Sequence, residues 1–125
     1  MLHEKVLARV AAGTGTFVDF SGTWINELGS QMTISQTNDV VQGTYQSAVS
    51  SGGSQTSGSL LGYVDGDLIS FVVHWEQFQA ITAWVGQLEP ANLQQLNTLW
   101  QMTSQVAPGE EWASINAGAD SFTKQ

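Results

Sequence analysis

With 125 residues the chain is one domain by length, long enough to bury a core of its own. Charged residues make up only 11% and the formal net charge is −8, while the cations Lys5, Arg9 and Lys124 sit near the two ends, so the body offers nothing to hold a nucleic acid or a phosphate. The absence of cysteine excludes disulfides and thiolate metal sites, and no apolar run nears the ~20 residues of a membrane-spanning helix.

Residues 1–19 read as an N-terminal extension, frayed or forming a short helix, and Glu4, Lys5 and Arg9 interrupt what would otherwise resemble the apolar region of a signal peptide. Gly13-Thr14-Gly15-Thr16 separates it from a domain covering residues 20–125. There, Ser, Thr, Gln and Asn carry the solubility, a habit of secreted or extracytoplasmic β proteins.

Eight short runs of strand character follow, and the alternation within each assigns an inward face. Phe20 to Glu27 puts Trp24 and Asn26 together, Ser30 to Gln36 aligns Ser30, Met32 and Ile34, and Val40 to Ser47 aligns Val41, Gly43, Tyr45 and Ser47. The Ser- and Gly-rich stretch from Val49 to Thr56 is either a passive hairpin loop or a mobile lid whose Ser50 and Ser51 offer hydroxyl and N–H donors. Gly58 to Val64 ends at Asp65-Gly66, a hairpin signal.

The next two runs place Phe71, Val73 and Trp75 on one face and Ala80, Thr82 and Trp84 on the corresponding face. Indole N–H groups need partners when buried, so this pair of runs suits a flat, semi-polar ligand better than a filled core. Leu93 to Ser104 carries Trp100 and Met102 on one face and Leu93 and Leu99 on the other, which predicts an outer surface covered by another subunit. Beyond Trp112, the last run, Ser114 to Thr123, turns Asp120 and Phe122 inward. The pattern as a whole predicts an all-β barrel or sandwich.

Catalysis finds little support in these residues. His74 falls on an outward face, His3 lies in the extension, and Gly29-Ser30 and Gly53-Ser54 lack the spacing of a nucleophile elbow. Asp120 could pair with Glu27 or Glu76 for glycoside cleavage, but only Asp120 is inward by period. Metal-ligand clusters are missing too. A binding module is the stronger class. Asn26, Ser30, Tyr45, Ser47, Thr82 and Asp120 would each serve as a structural hydrogen bonder alone; together on interior positions they argue for a ligand that completes their hydrogen bonds.

From Phe20 to Lys124 the chain resembles the avidin and streptavidin family of biotin-binding proteins. The resemblance is carried by Ser21-Gly22-Thr23-Trp24-Ile25-Asn26-Glu27-Leu28-Gly29-Ser30, by Gly43-Thr44-Tyr45-Gln46-Ser47-Ala48-Val49 and by Trp75. Thr82-Ala83-Trp84-Val85-Gly86-Gln87, Trp100, Trp112 and Asp120-Ser121-Phe122-Thr123-Lys124 extend it in the same order.

The resemblance implies an eight-stranded antiparallel up-and-down β-barrel that binds biotin in its open end, with neither catalysis nor a cofactor. It assigns the ureido oxygen to Asn26, Ser30 and Tyr45, the ureido N–H groups to Ser47 and Asp120, and the sulfur to Thr82. Trp75, Trp84 and Trp100 become ring walls, with Met102 near a position often held by leucine, Phe71 where the family often has tryptophan, and Val49, Ser50 and Ser51 at the lid. It further implies a homotetramer, a dimer of dimers in which Trp112 covers a neighbour's site, and a secreted or periplasmic protein. Ala80 departs from the pattern, standing where streptavidin has a serine on the biotin carboxylate. A lipocalin-like carrier of another small apolar ligand is the alternative; it has no use for the donor and acceptor set around Tyr45 and Asp120.

Overall fold

Alternating burial along nearly every run leaves one apolar face that a single sheet can cover only by curling onto itself. In the computed structural model, which describes residues 2–13, 16–48 and 55–125, the sheet closes completely. The strands are β1 (Gly22–Asn26), β2 (Gln31–Thr37), β3 (Val40–Ser47), β4 (Thr56–Asp65), β5 (Leu68–Trp75), β6 (Ala80–Glu89), β7 (Asn92–Ser104) and β8 (Ile115–Lys124). Each pairs antiparallel with the next, and β8 returns to β1 through Trp24↔Lys124, Ile25↔Thr123 and Asn26↔Phe122. The eight-stranded antiparallel barrel is therefore as expected. Closure removes the unpaired edges that would template aggregation.

The ends of the strands differ from the expected runs by a residue or two. A short helix, α1 (His3–Leu7), precedes the barrel with no buried residue, and Trp112 lies on a 3₁₀ turn, Glu111–Ala113, between β7 and β8. The tight connections use residues that tolerate positive φ: Asn38 at 55° before β3, and Gly66 at 59° between β4 and β5.

The two ends of the barrel differ in chemistry. Near the chain's entry, Phe20, Trp24, Val41, Val64, Ile69, Leu88 and Leu96 are buried together, and the Trp24 indole donates to the Phe20 carbonyl at 2.9 Å, so its one polar atom is satisfied inside an apolar plug. At the other end the C-terminal parts of β1, β3, β5 and β7 and the N-terminal parts of β2, β4 and β6 present mixed aromatic and polar side chains. Apolar side chains also stand on the outside: Leu61, Tyr63, Val72, Ile81, Val85, Leu99 and Ile115 are exposed along β4 to β8.

Candidate functional site

The polar end is built first by local backbone geometry. Asn26 closes β1, and its Oδ1 accepts both the Leu28 N–H at 3.0 Å and the Ser30 N–H at 2.9 Å, tying the β1–β2 turn around its own side chain. Its oxygen thus occupied, Asn26 presents Nδ2 to the interior, where it lies 3.5 Å from the Tyr45 hydroxyl. Ser30 Oγ accepts the Ala48 N–H at 3.0 Å, which leaves the serine proton free to be donated. Burial, reinforced by the charge of Asp120, pushes the Tyr45 phenol far above its ordinary range, so this group is a neutral hydroxyl. Asn26, Ser30 and Tyr45 thus gather donors on one side of the cup.

The acceptor side belongs to Asp120 on β8. Its Oδ2 accepts the Trp84 Nε1–H at 2.9 Å, and the Thr98 hydroxyl fixes its backbone carbonyl at 2.9 Å. Desolvation raises the Asp120 pKa above 3.8, and the neighbouring Glu27 raises it further against the opposing hydrogen bonds from Trp84 and Asn26. Glu27 lies at the rim, exposed, its Oε2 accepting the Ser121 N–H at 3.0 Å. Its slight desolvation is outweighed by hydrogen bonds from the Ser121 N–H and its own backbone N–H, with a smaller influence from the neighbouring Asp120, so its pKa falls. The two carboxyl groups are therefore close enough to influence each other's ionisation, Asp120 inside the cup and Glu27 at its rim.

Aromatic side chains complete the cup. Trp84 stacks with Phe71 at 5.1 Å and with Tyr45 at 4.9 Å between centroids, and the Trp75 ring meets Tyr45 edge-on at 5.5 Å. Trp75 Nε1 donates to the Thr82 hydroxyl at 2.9 Å. Cross-strand pairing sets Trp84 beside Trp100 and Thr82 beside Met102, bringing these four onto adjoining interior positions. Trp75, Trp100, Met102 and Ser47 are half-buried, Ala80 is buried, and Trp112 is 83% exposed on its 3₁₀ turn. Val49, Ser50 and Ser51 lie outside the described residues.

The interior polar groups were expected to wait for a ligand. Instead, among the described residues no buried side-chain nitrogen or oxygen lacks a hydrogen-bond partner. Asn26, Ser30, Tyr45, Thr82, Trp75, Trp84 and Asp120 pair with one another or with backbone, and their remaining donor and acceptor capacity is already oriented. Sequence reasoning weighed Glu27 only as an outward partner for Asp120, named Phe71 by its inward face, and left Thr98 and Phe78 out of the site. Phe78 lies half-exposed at the β5–β6 turn with its ring 6.3 Å from that of Trp75. Alternation marked Phe71; Phe78 sits in a turn, where period two says nothing. Among the described residues no cluster of His, Cys, Asp and Glu could hold a metal ion.

A closed antiparallel barrel with an apolar plug at one end and an aromatic cup of fixed donors and acceptors at the other has the architecture of the small-ligand-binding barrels. The chain belongs to the avidin family, whose pattern matches residues 14–125. It is 32% identical to avidin-related protein 1 of Gallus gallus over 130 residues, covering 95% of this chain and 87% of that protein. Against avidin of Gallus gallus the identity is 29% over 131 residues, covering 94% and 86% respectively. Two solved structures are similar. The crystal structure of Xenavidin superimposes with a TM-score of 0.71 at 30% identity, covering 86% of this chain and 98% of that one. The solved structure of AVR2 gives 0.73 at 31% identity, with coverage of 84% and 94%.

Proposed function

We propose that this chain binds biotin non-covalently in the polar end of its barrel and performs no chemistry on it. The observation that carries the reading is the opposed pair of polar sets: Asn26 Nδ2 and the hydroxyls of Ser30 and Tyr45 as donors on one side, the Asp120 carboxylate as acceptor on the other. A cyclic urea has one acceptor oxygen flanked by two N–H donors, and this arrangement is complementary to it. Ser47 stands on the same face of β3 as Tyr45 and serves as the second acceptor. Thr82 faces the sulfur, and Trp75, Trp84, Trp100 and Met102 enclose the ring system. Because the polar atoms are held by one another and by strands, little ordering remains to oppose binding.

Membership of the avidin family supports this reading over the lipocalin-like one, as does a donor and acceptor set that an apolar ligand could not use. The proposal extends to a homo-oligomer, a dimer of dimers, in which Trp112 covers the site of a neighbouring subunit and biotinylated molecules enter as well as free biotin. A location outside the cytoplasm goes with the same family reading. Isothermal titration with biotin alongside light scattering tests it: saturable binding at one biotin per chain is the expected result. No heat with biotin, together with binding of a fatty acid or retinoid, would overturn it in favour of a lipocalin-like carrier.

A further inference from the structure

Several glycines on the strands are required by the barrel itself. A methyl group added at Gly43 would strike the Thr33 carbonyl, and one at Gly62 the Ser70 carbonyl. At Gly58 it would come within 2.6 Å of the His74 carbonyl, and at Gly86 within 2.8 Å of that of Asn97. Those positions keep neighbouring backbones close and carry no information about the ligand.

Gly118 is different. The three atoms nearest to an added Cβ are all on one side chain of the cup: Trp100 Cζ2 at 2.5 Å, Cε2 at 2.7 Å and Nε1 at 3.0 Å. Gly118 is the cross-strand partner of Trp100, and its φ is not positive, so alanine is compatible with its backbone. On its other side Trp100 pairs with Trp84, on the strand that also carries Thr82. The indole therefore lies over β8 in the space that a side chain at 118 would fill.

We propose that Gly118 is a positioning residue that sets the width of the ligand slot by letting the Trp100 indole lie against β8. This rests on the biotin reading of the site. A side chain at 118 displaces the indole back across β7 toward Thr82 and Trp84, into the space assigned to the ligand's rings. Interiors resist added volume because neighbours are already in low-energy rotamers, so with the paired backbones fixed by the β7–β8 register it is the indole that gives way, toward the inner face it shares with Trp84. Gly118 thus tunes the cup without touching the ligand.

The test compares Gly118→Ala, Trp100→Leu and the double variant. Each is labelled with 5-fluorotryptophan, and the Trp100 resonance is assigned by its loss in Trp100→Leu. In the ligand-free protein, Gly118→Ala is expected to shift the Trp100 fluorine signal more than those of the other tryptophans. Biotin affinity is expected to fall roughly tenfold or more in the Trp100 background, the scale of a modest overpacking penalty, and to change little when added to Trp100→Leu. An unmoved fluorine signal, or the same affinity loss in both backgrounds, would overturn the proposal. If Gly118→Ala alone fails to fold, folding of the double variant supports it and failure of both overturns it. Should the unmodified protein not bind biotin, the biotin reading fails, while the fluorine signal still decides the role of Gly118.

Discussion

Trp84 Nε1 donates to Asp120 Oδ2 at 2.9 Å, joining β6 to β8 over the intervening strand β7. The bond ties an aromatic wall to the acceptor of the cup, so in the proposed complex the carboxylate meets its ligand already aimed. Asp120→Asn keeps an oxygen for Trp84 but removes the charge that strengthens a bond from a ligand N–H. Hydrogen bonds to charged groups contribute about 1.5–3 kcal/mol, so titration at neutral pH should show biotin affinity lower by about tenfold to hundredfold. The unfolding midpoint should not fall, because the variant also relieves a partly buried charge. A loss of stability without a loss of affinity would show that Asp120 serves the barrel alone.

Protonation of the same residue predicts a pH dependence. In the proposed reading Asp120 accepts a ligand N–H as a carboxylate, and desolvation, then Glu27, holds its pKa above 3.8. Affinity is therefore full at neutral pH and declines as the pH falls through that raised value, earlier than an ordinary aspartate would titrate. Tyr45 also faces this group and stays neutral throughout. Glu27→Gln removes the neighbouring negative charge, lowers the Asp120 pKa and moves the decline to lower pH. Folding stability carries two opposed contributions: that of Asp120, with its raised pKa, grows on acidification, while that of Glu27, lowered below 4.5, is lost. Titrations from neutral to acidic pH on both proteins check this; coincident profiles would remove Glu27 from the mechanism.

Much of the barrel and about half of the cup's logic lie in alternation. Period two places Trp24 with Asn26, Tyr45 with Ser47, Thr82 with Trp84 and Asp120 with Phe122, because successive side chains on a strand face opposite sides whatever lies across from them. Contacts made by closure are invisible to it. Glu27 meets the Ser121 N–H across a separation of 94 residues, and the pairing that allows it exists only once β8 returns to β1. Gly118 beneath Trp100 is hidden for a related reason, since its role is fixed by the register between β7 and β8. The satisfaction of Asn26 by Leu28 and Ser30 depends on the shape of one turn, which composition suggests but does not specify.

Trp24 separates stability from binding. It is 1% exposed, its N–H is held by the Phe20 carbonyl, and it stands in the apolar plug away from the cup. Trp24→Ala should cost about 3–5 kcal/mol of folding stability through the cavity it leaves. Trp24→Phe should cost less, losing one hydrogen bond and a smaller volume. Chemical denaturation measures both, and biotin affinity of the folded fraction should be nearly unchanged in Trp24→Phe.

In the biotin reading, Ala80 bears on the tail of the ligand. It is 5% exposed on the inward face beside Ser104 of β7, and by family resemblance its position belongs to a serine that contacts the biotin carboxylate. Without that hydroxyl, and with no cation between Arg9 and Lys124, free biotin should have little advantage over a neutral biotinyl amide. Ala80→Ser adds one hydroxyl on the same strand and should restore a preference for the acid of about fivefold to tenfold, the scale of one net hydrogen bond. Competition between the two ligands measures it, and a strong preference for the acid in the unmodified protein would mean that other donors hold the tail.

Val85 and Leu99 form a cross-strand pair on the outside of the barrel, 64% and 68% exposed, within an apolar surface that includes Leu61, Tyr63, Val72 and Ile81. Exposed apolar area of this kind marks an interface more often than a free surface. Replacing both members of the pair with glutamate puts like charges side by side where a second barrel would dock, and desolvating them opposes assembly. Light scattering should show the double variant as smaller particles than the unmodified protein, and biotin should dissociate faster from them. Trp112→Ala should speed dissociation without changing particle size, since its indole is 83% exposed on its own chain and is proposed to act on a neighbour's site. A monomeric unmodified protein that binds biotin tightly would refute the role of Trp112 and leave the apolar surface without a subunit to cover it.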